Sequence, residues 1–412
     1  MGRALVLNDV SVFTGESDTL IGHQDIVIQQ GRISEVVPAG HSYEGAKVVK
    51  LPGCVVTPGF IDCHMHMLLE EVSPDKNASM TMATPGGEAY PNADCAAAYM
   101  SVGNCRKMLQ AGFTTVVDGG GRNFADCALR EAIQKGHVIG PNYYVAGKQI
   151  TANRAHFIGF SVEPCGPYGM RKAVRDLVWW GVDHIKLQLN PPIRMVGRNA
   201  EICDFTPEEI SAAIDEAHNY GIPVHAHLRG AESIKRFLRA GGDYVVHGTG
   251  IDDEGIELML KYGKTMLPTL LSPGPEPSKE LIANKTSAVL DLLEQTAQRH
   301  WASAERAFRA GVKMAFSTDM GTLGNHIGEN AREFENLCRI GMSPSQALRS
   351  ATSEAARVVG KQSELGQVKA GFRADLTVLA GNPLADIRQT RQVLMTVKNG
   401  QIVHDGREAP AG

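Results

Sequence analysis

The sequence predicts an α/β protein: a (β/α)8 TIM-like barrel carrying a small β-sandwich domain built from both termini. Three observations carry that prediction. Eight short runs rich in Val, Ile, Leu or Phe alternate with helical segments through the middle of the chain. The two ends instead show hairpin patterning. The middle runs finish on side chains able to do chemistry, and in a (β/α)8 barrel chemistry sits at the carboxyl ends of the strands.

The terminal elements come first. Asp25-Ile26-Val27-Ile28, a turn at Gln30-Gly31-Arg32, and Ile33-Ser34-Glu35-Val36-Val37 read as a hairpin. Ala374 to Leu379 is a strand candidate, and Val393 to Val397 followed by Asn399-Gly400 and Gln401-Ile402-Val403 is a second hairpin. Edge strands need partners, so residues 1–57 and 360–412 are assigned to one sheet domain flanking a barrel over 58–359.

The barrel strands are placed at Phe60 to His64, Thr114 to Val117, Tyr143 to Ala146, His184 to Gln188, Pro223 to His225, Tyr244 to His247, Thr265 to Leu270 and Val312 to Ser317. Two intervening helices have strong start signals. Thr206-Pro207-Glu208-Glu209 and Ser343-Pro344-Ser345-Gln346 each offer a capping hydroxyl, Pro at the first helical position, and Glu or Gln at the third. A doubly wound open sheet is the alternative, but no Gly-x-Gly-x-x-Gly opens a helix after the first strand. The Trp179-Trp180 pair is assigned to helix-to-barrel packing.

Composition excludes several classes of function. With 412 residues and 43% hydrophobic content the chain can bury a large core, and a net charge of −4 without a basic stripe argues against nucleic acid. No apolar run reaches membrane-spanning length, and the first one breaks too early for a signal-peptide core. Eight scattered cysteines read as reduced thiols, so a cytoplasmic location is expected. The partners expected are a small-molecule substrate and further copies of the chain in a homo-oligomer.

The most informative stretch is Gly59-Phe60-Ile61-Asp62-Cys63-His64-Met65-His66. Side chains at i and i+2 of a strand share a face, so His64 and His66 can reach one metal ion. Lys186, His225 with His227, His247 and Asp319 close later runs in the same way. Taken singly, each His is as readily a packed residue hydrogen-bonded to backbone, Lys186 an ion-pair partner and Asp319 a helix cap. Six candidate ligands at five strand ends argue against coincidence, and an unmodified lysine inside an apolar strand is costly.

These residues resemble the amidohydrolase superfamily over essentially the whole chain. The matching motifs are Pro58 to His66, Gly112-Phe113-Thr114-Thr115-Val116-Val117-Asp118, and Gly371-Phe372-Arg373-Ala374-Asp375-Leu376. Gly181 to Lys186, His225-Ala226-His227 and Pro268-Thr269-Leu270 are most similar to its prolidase-like branch, which includes Xaa-dipeptidases and ochratoxinase-type amidases. Three positions depart from that branch: Val246 precedes His247 where an acidic residue is usual, Leu228-Arg229-Gly230 follows His227 where Gly is common, and Asn190-Pro191-Pro192 replaces a Gly-rich turn.

The resemblance implies two divalent ions, Zn²⁺ for preference, one held by His64 and His66 and the other by His225 and His247, bridged by a carbamylated Lys186. It also implies a hydroxide shared by the two ions, with Asp319 as a ligand of the first ion and as general base and acid. Asp62 is assigned to orienting a ligand histidine, while Asp118 and Asp375 are given structural roles. His227 is a spare ligand, a core histidine or, preferably, a donor facing the substrate carbonyl. His156 and His326 are pocket candidates, and the segments Glu71 to Asn92 and Leu271 to Pro277 are lid candidates. The implied activity is hydrolysis of an amide C–N bond in a dipeptide or N-acyl amino acid. A cyclic-amide hydrolase or deaminase is the runner-up, and a non-catalytic structural member of the family the third possibility.

Overall fold

The structure, a computed structural model, describes residues 3–69, 93–152, 159–191, 202–272, 287–322 and 324–407. Strands from both ends form one eight-stranded sheet. From the N-terminal end come β1 (Leu5–Val12), β2 (Ile21–Gln29), β3 (Arg32–Pro38), β4 (Lys47–Lys50) and β5 (Val55–Pro58). From the other end come β16 (Leu376–Leu379), β17 (Val393–Lys398) and β18 (Gln401–Asp405). The order is β18-β17-β16-β5-β1-β2-β3, with β4 paired to β1, and both expected hairpins are present as β2–β3 and β17–β18. Leu5 with Leu7, Ile26 with Ile28, Leu376 with Val378 and Met395 with Val397 alternate along their strands into a shared core.

The middle of the chain forms parallel sheets with helices between their strands. One has the order β6 (Phe60–Met65), β7 (Phe113–Asp118), β8 (Asn142–Tyr144). The other runs β10 (Ser161–Val162), β9 (Gln149–Thr151), β11 (Ile185–Gln188), β12 (Val224–Arg229), β13 (Tyr244–Thr249), β14 (Thr265–Leu267), β15 (Lys313–Met314). Backbone hydrogen bonds join the two at both edges. Cys63 N–H donates to Phe316 O at 2.8 Å and Asp319 N–H to His64 O at 2.8 Å on one side, and Asp183 N–H donates to Val145 O at 2.8 Å on the other.

The β9 and β10 strands escaped the sequence reading, because each is too short to show a period. Strand pairing at β14 and β15 stops well before the predicted ends. Beyond it, Thr269 and Asp319 adopt left-handed φ values of 52° and 58°, which no regular strand contains.

Residues alternate between two buried faces of these strands. Val224, Ala226 and Leu228 of β12 join the cluster that includes Leu177, Ala213, Ile234, Phe237 and Ala304 from the helices. His225, His227 and Arg229 take the opposite face and are also buried. Both capping predictions hold. The Thr206 hydroxyl accepts from Glu209 N–H at the start of the helix Pro207–Asn219, and Ser343 from Gln346 N–H at the start of Pro344–Ser350, with the reciprocal side-chain bonds made.

One packing expectation is overturned. Trp179 is 88% exposed and Trp180 51%, with Trp180 stacked on Phe124 at a 4.3 Å centroid distance. The helix Gly166–Trp179 buries Met170, Ala173, Val174 and Leu177 instead, and the tryptophans lie past the end of that stripe. No helix among the described residues is long and apolar enough to cross a membrane, and all eight cysteines are free thiols.

Candidate active site

His64 follows Cys63 in β6 and His66 lies just past that strand's end, with both rings buried. Gly119 explains how two imidazoles fit side by side. A Cβ there would lie 2.6 Å from Cε1 of both rings, closer than carbon atoms approach. Asp319 arrives from the far edge, its Oδ1 3.4 Å from Nε2 of His64 and 3.4 Å from Nε2 of His66. The three donor atoms lie within 4.8 Å of one another, a convergent set suited to one cation.

Lys186 reaches the same point from β11. It is fully buried, and its Nζ lies 3.2 Å from His64 Nε2. Burial pulls the ammonium down to about 7, against the opposing pull of Asp319 and Asp118. Burial, together with the Lys186 charge, brings His64 down to about 3, and burial holds His247 and His225 well below their ordinary value. Those imidazoles are therefore neutral at physiological pH, the form that ligates metal. Burial pushes Asp319 upward, but hydrogen bonding from His64 and His66 outweighs it and keeps the carboxylate ionised.

The strand-end histidines separate into two layers. His247 Nε2 lies 2.9 Å from His227 Nδ1, and its Nδ1 lies 2.7 Å from the Thr269 hydroxyl. His225 sits one step back along β12, where its ring packs 4.4 Å from His184 and 4.6 Å from Tyr244, and its Nδ1 has no hydrogen-bond partner. The second convergent pair is thus His227 with His247. His247, Thr269 and Asp319 all hold left-handed φ values, at 67°, 52° and 58°. Such conformations cost about 1–3 kcal/mol each and concentrate at functional sites.

Asp62 reaches a candidate ligand histidine through the backbone, not through its ring. Its Oδ1 accepts from the backbone N–H groups of His64 and Thr318 at 3.2 Å each, and its Oδ2 from the Thr318 hydroxyl at 2.6 Å and Asn330 Nδ2 at 2.8 Å. Its work is to fasten β6 to the segment carrying Asp319. Asp118 accepts from Met67 N–H, Gly120 N–H and the Tyr143 hydroxyl, and Asp375 from Asn142 and Asn399, so both are structural as expected.

His326 lies half-buried in the turn after Asp319, and its neighbours Asn325 and Ile327 line a cavity of about 270 Å³ with Leu69, Met100, Asn104 and Lys107. His156, the whole segment Glu71 to Asn92, and Pro273 to Pro277 lie outside the described residues.

The roles of several site residues were not legible in the sequence. Thr269 orients His247, and the buried Glu333 carboxylate fixes the following turn by accepting from Leu270 N–H at 2.6 Å and Leu271 N–H at 3.0 Å. Arg229, two residues beyond His227, is buried and donates from Nε to His227 Nε2 at 3.3 Å. It had been noted only as a departure from a motif.

The chain is 29% identical to ochratoxinase from Aspergillus niger over 367 residues, spanning 81% of this chain and 72% of that one. It is 26% identical to imidazolonepropionase from Chloroflexus aggregans, over 84% of this chain and 83% of that one. A Xaa-Pro dipeptidase crystallised with methionine in its active site superposes with a TM-score of 0.86 at 28% identity, covering 98% of this chain and 100% of the other. The sequence profile of the amidohydrolase family matches residues 55–403, a span holding every residue of the buried cluster, so the resemblance read from the motifs holds: the chain belongs to the amidohydrolase family and is a hydrolytic enzyme of that family.

Proposed function

We propose that the protein hydrolyses the amide C–N bond of a dipeptide or N-acyl amino acid with the help of two divalent cations, Zn²⁺ for preference. The observation that carries this reading is the convergence of His64, His66 and Asp319 beside a buried lysine and a second histidine pair. The edge hydrogen bonds between the two parallel sheets support a closed (β/α)8 barrel over 58–359, with 1–57 and 360–412 as the small β domain. A cytoplasmic homo-oligomer acting on a small molecule is the accompanying proposal.

The donor set fits two cations. Neutral imidazoles and an ionised carboxylate are the groups such ions take. His64, His66 and Asp319 would hold one. We assign the second to His227 and His247, in place of His225, because their nitrogens already converge at 2.9 Å. Lys186 lies between the sets, and an ammonium there would repel both ions. Its depressed basicity supplies the free amine that adds to CO2, releasing a proton and leaving an anionic carbamate able to bridge. When bound, the two cations supply a nucleophile at neutral pH by acidifying water, and they polarise the scissile carbonyl.

The chain's own groups do the rest. Asp319, ionised and at the meeting point of the two histidines, accepts the proton of the attacking water and returns it to the leaving amine. Burial of the whole cluster excludes bulk water and strengthens each of these interactions. The imidazolonepropionase relative favours a second reading, hydrolysis of a cyclic amide by the same residues.

Metal analysis of the purified protein, followed by turnover assays on dipeptides, N-acyl amino acids and cyclic amides, tests the proposal. About two ions per chain and turnover of the linear amides are expected. Turnover confined to cyclic amides would transfer the assignment to the second reading.

A further inference from the structure

His300 is a fully buried histidine on an outer helix, with two bonds into the barrel wall. It belongs to the helix Ser287–Arg309, which also buries Ala297, Ala304 and Ala307. Its Nδ1 lies 2.9 Å from the hydroxyl of Thr249, the last residue of β13, and its Nε2 lies 3.4 Å from the carbonyl oxygen of Thr269. A carbonyl can only accept, so Nε2 carries the proton. Burial, with the Arg229 charge, pulls the ring down to about 4 and keeps it neutral. Nδ1 is therefore bare and accepts from the Thr249 hydroxyl. Packing alone does not call for a histidine here, since an apolar side chain would leave no buried nitrogens to satisfy.

What the ring grips is the turn that serves His247. Thr269 holds a left-handed φ of 52°, a costly state for a β-branched residue that persists only where its surroundings impose it. Its N–H donates to Ser317 Oγ at 3.3 Å, and its carbonyl meets His300. The next carbonyl, that of Leu270, accepts from Trp301 Nε1 at 3.1 Å, so neighbouring residues of one helix hold consecutive carbonyls of the turn. With that backbone pinned, the Thr269 hydroxyl stands 2.7 Å from His247 Nδ1. The rings of His300 and His247 are 6.3 Å apart, and the link between them runs through Thr269.

Which nitrogen of a histidine is free for a cation is set by the bond the other nitrogen makes. Donation from His247 Nδ1 to the Thr269 hydroxyl leaves Nε2 bare, on the side facing His227. We infer that His300 is a positioning residue for the second cation site: by holding the Thr269 carbonyl it keeps the Thr269 hydroxyl on His247 Nδ1, and so fixes the tautomer and orientation of that ring. The inference rests on the reading of His227 and His247 as cation ligands, and it adds the residue that holds one of them in place. The rival account makes His300 a filler of the seam between helix and barrel.

The test begins with ¹⁵N-histidine spectra of the zinc-loaded wild type, which need no variant and so decide even if a substitution fails to fold. His300 should carry its proton on Nε2 and His247 on Nδ1, and the opposite tautomer at either ring would overturn the inference. Zinc affinity is then read by competition with a chromophoric chelator. His300→Leu should weaken the more loosely held ion by roughly 10–100-fold, the usual cost of removing a group that orients a ligand histidine, and Thr269→Val should do the same. The double variant should lose no more than the worse single one, because both act along one path. His300→Gln can offer an amide N–H to the Thr269 carbonyl and should stay within about threefold of wild type. A folded His300→Leu with wild-type zinc affinity, no recovery in His300→Gln, or losses that multiply in the double variant would each make His300 a filler. A wild type that binds fewer than two ions counts against the cation reading instead, and the His300 tautomer still reads the bond to Thr269.

Discussion

His227 Nδ1 and His247 Nε2 lie 2.9 Å apart at the ends of adjacent strands, while His225, on the same strand as His227, packs its ring against His184. The separation follows from the left-handed backbone at His247 and the register shift between Leu228 and Arg229, which together carry the His247 ring up to the level of His227. In sequence the two share one strand face, and the family resemblance gives the ligand role to His225. The strand register is what distinguishes them in space.

That relationship sets the first prediction. His227→Asn should lower zinc content from about two ions per chain to about one and remove most turnover, because a ligand is lost. His225→Asn should retain both ions, with its effect confined to stability. Metal analysis of the two variants side by side checks this, and one-ion content in the His225 variant with two in the His227 variant would reverse the assignment.

The fold was legible where periodicity is long and caps are explicit. The hairpins β2–β3 and β17–β18, and the helix starts at Thr206 and Ser343, needed only local rules. The short β9 strand and the shortened β14 and β15 did not, since their pairing depends on residues far away in sequence. Most candidate ligands were legible as polar residues ending apolar runs. Thr269, Glu333 and Arg229 were not, because their roles come from contacts across the site, such as Thr269 with His247.

Lys186 provides a pH-dependent prediction. Carbamate formation needs the free amine, and burial brings Lys186 to about 7 from an ordinary 10.5. With ¹³C-labelled bicarbonate, a carbamate signal should therefore grow as pH rises through about 7 and be missing in Lys186→Met. The sign for stability follows by linkage. Between about 7 and 10.5 the unfolded chain binds a proton at this lysine that the folded, uncarbamylated chain does not, so stability rises with pH across that window. A carbamate signal retained in Lys186→Met would assign the modification to another lysine.

Gly119→Ala tests the close packing behind the first histidine pair. The new methyl would lie 2.6 Å from Cε1 of both His64 and His66, so at least one ring must move off its present position. Metal content should fall and turnover drop by roughly 10²-fold, in line with the cost of displacing catalytic geometry by about 1 Å. Circular dichroism should stay close to wild type, since the clash is confined to two side chains. Full metal content in Gly119→Ala would show that the rings tolerate displacement.

Asp319→Asn addresses the proton. The carboxylate lies 3.4 Å from each of two imidazole nitrogens, and hydrogen bonding from them keeps it ionised despite burial. An asparagine keeps one oxygen for a cation and nearly the same shape, but it cannot accept a proton and hand it on. The loss should therefore fall on kcat, by at least the roughly 10²–10⁴-fold attributed to general acid–base catalysis, with metal content and melting temperature little changed. Single-turnover measurements locate the defect in the chemical step. A kcat within about tenfold of wild type, below that catalytic range, would mean that another group carries the proton between water and leaving amine.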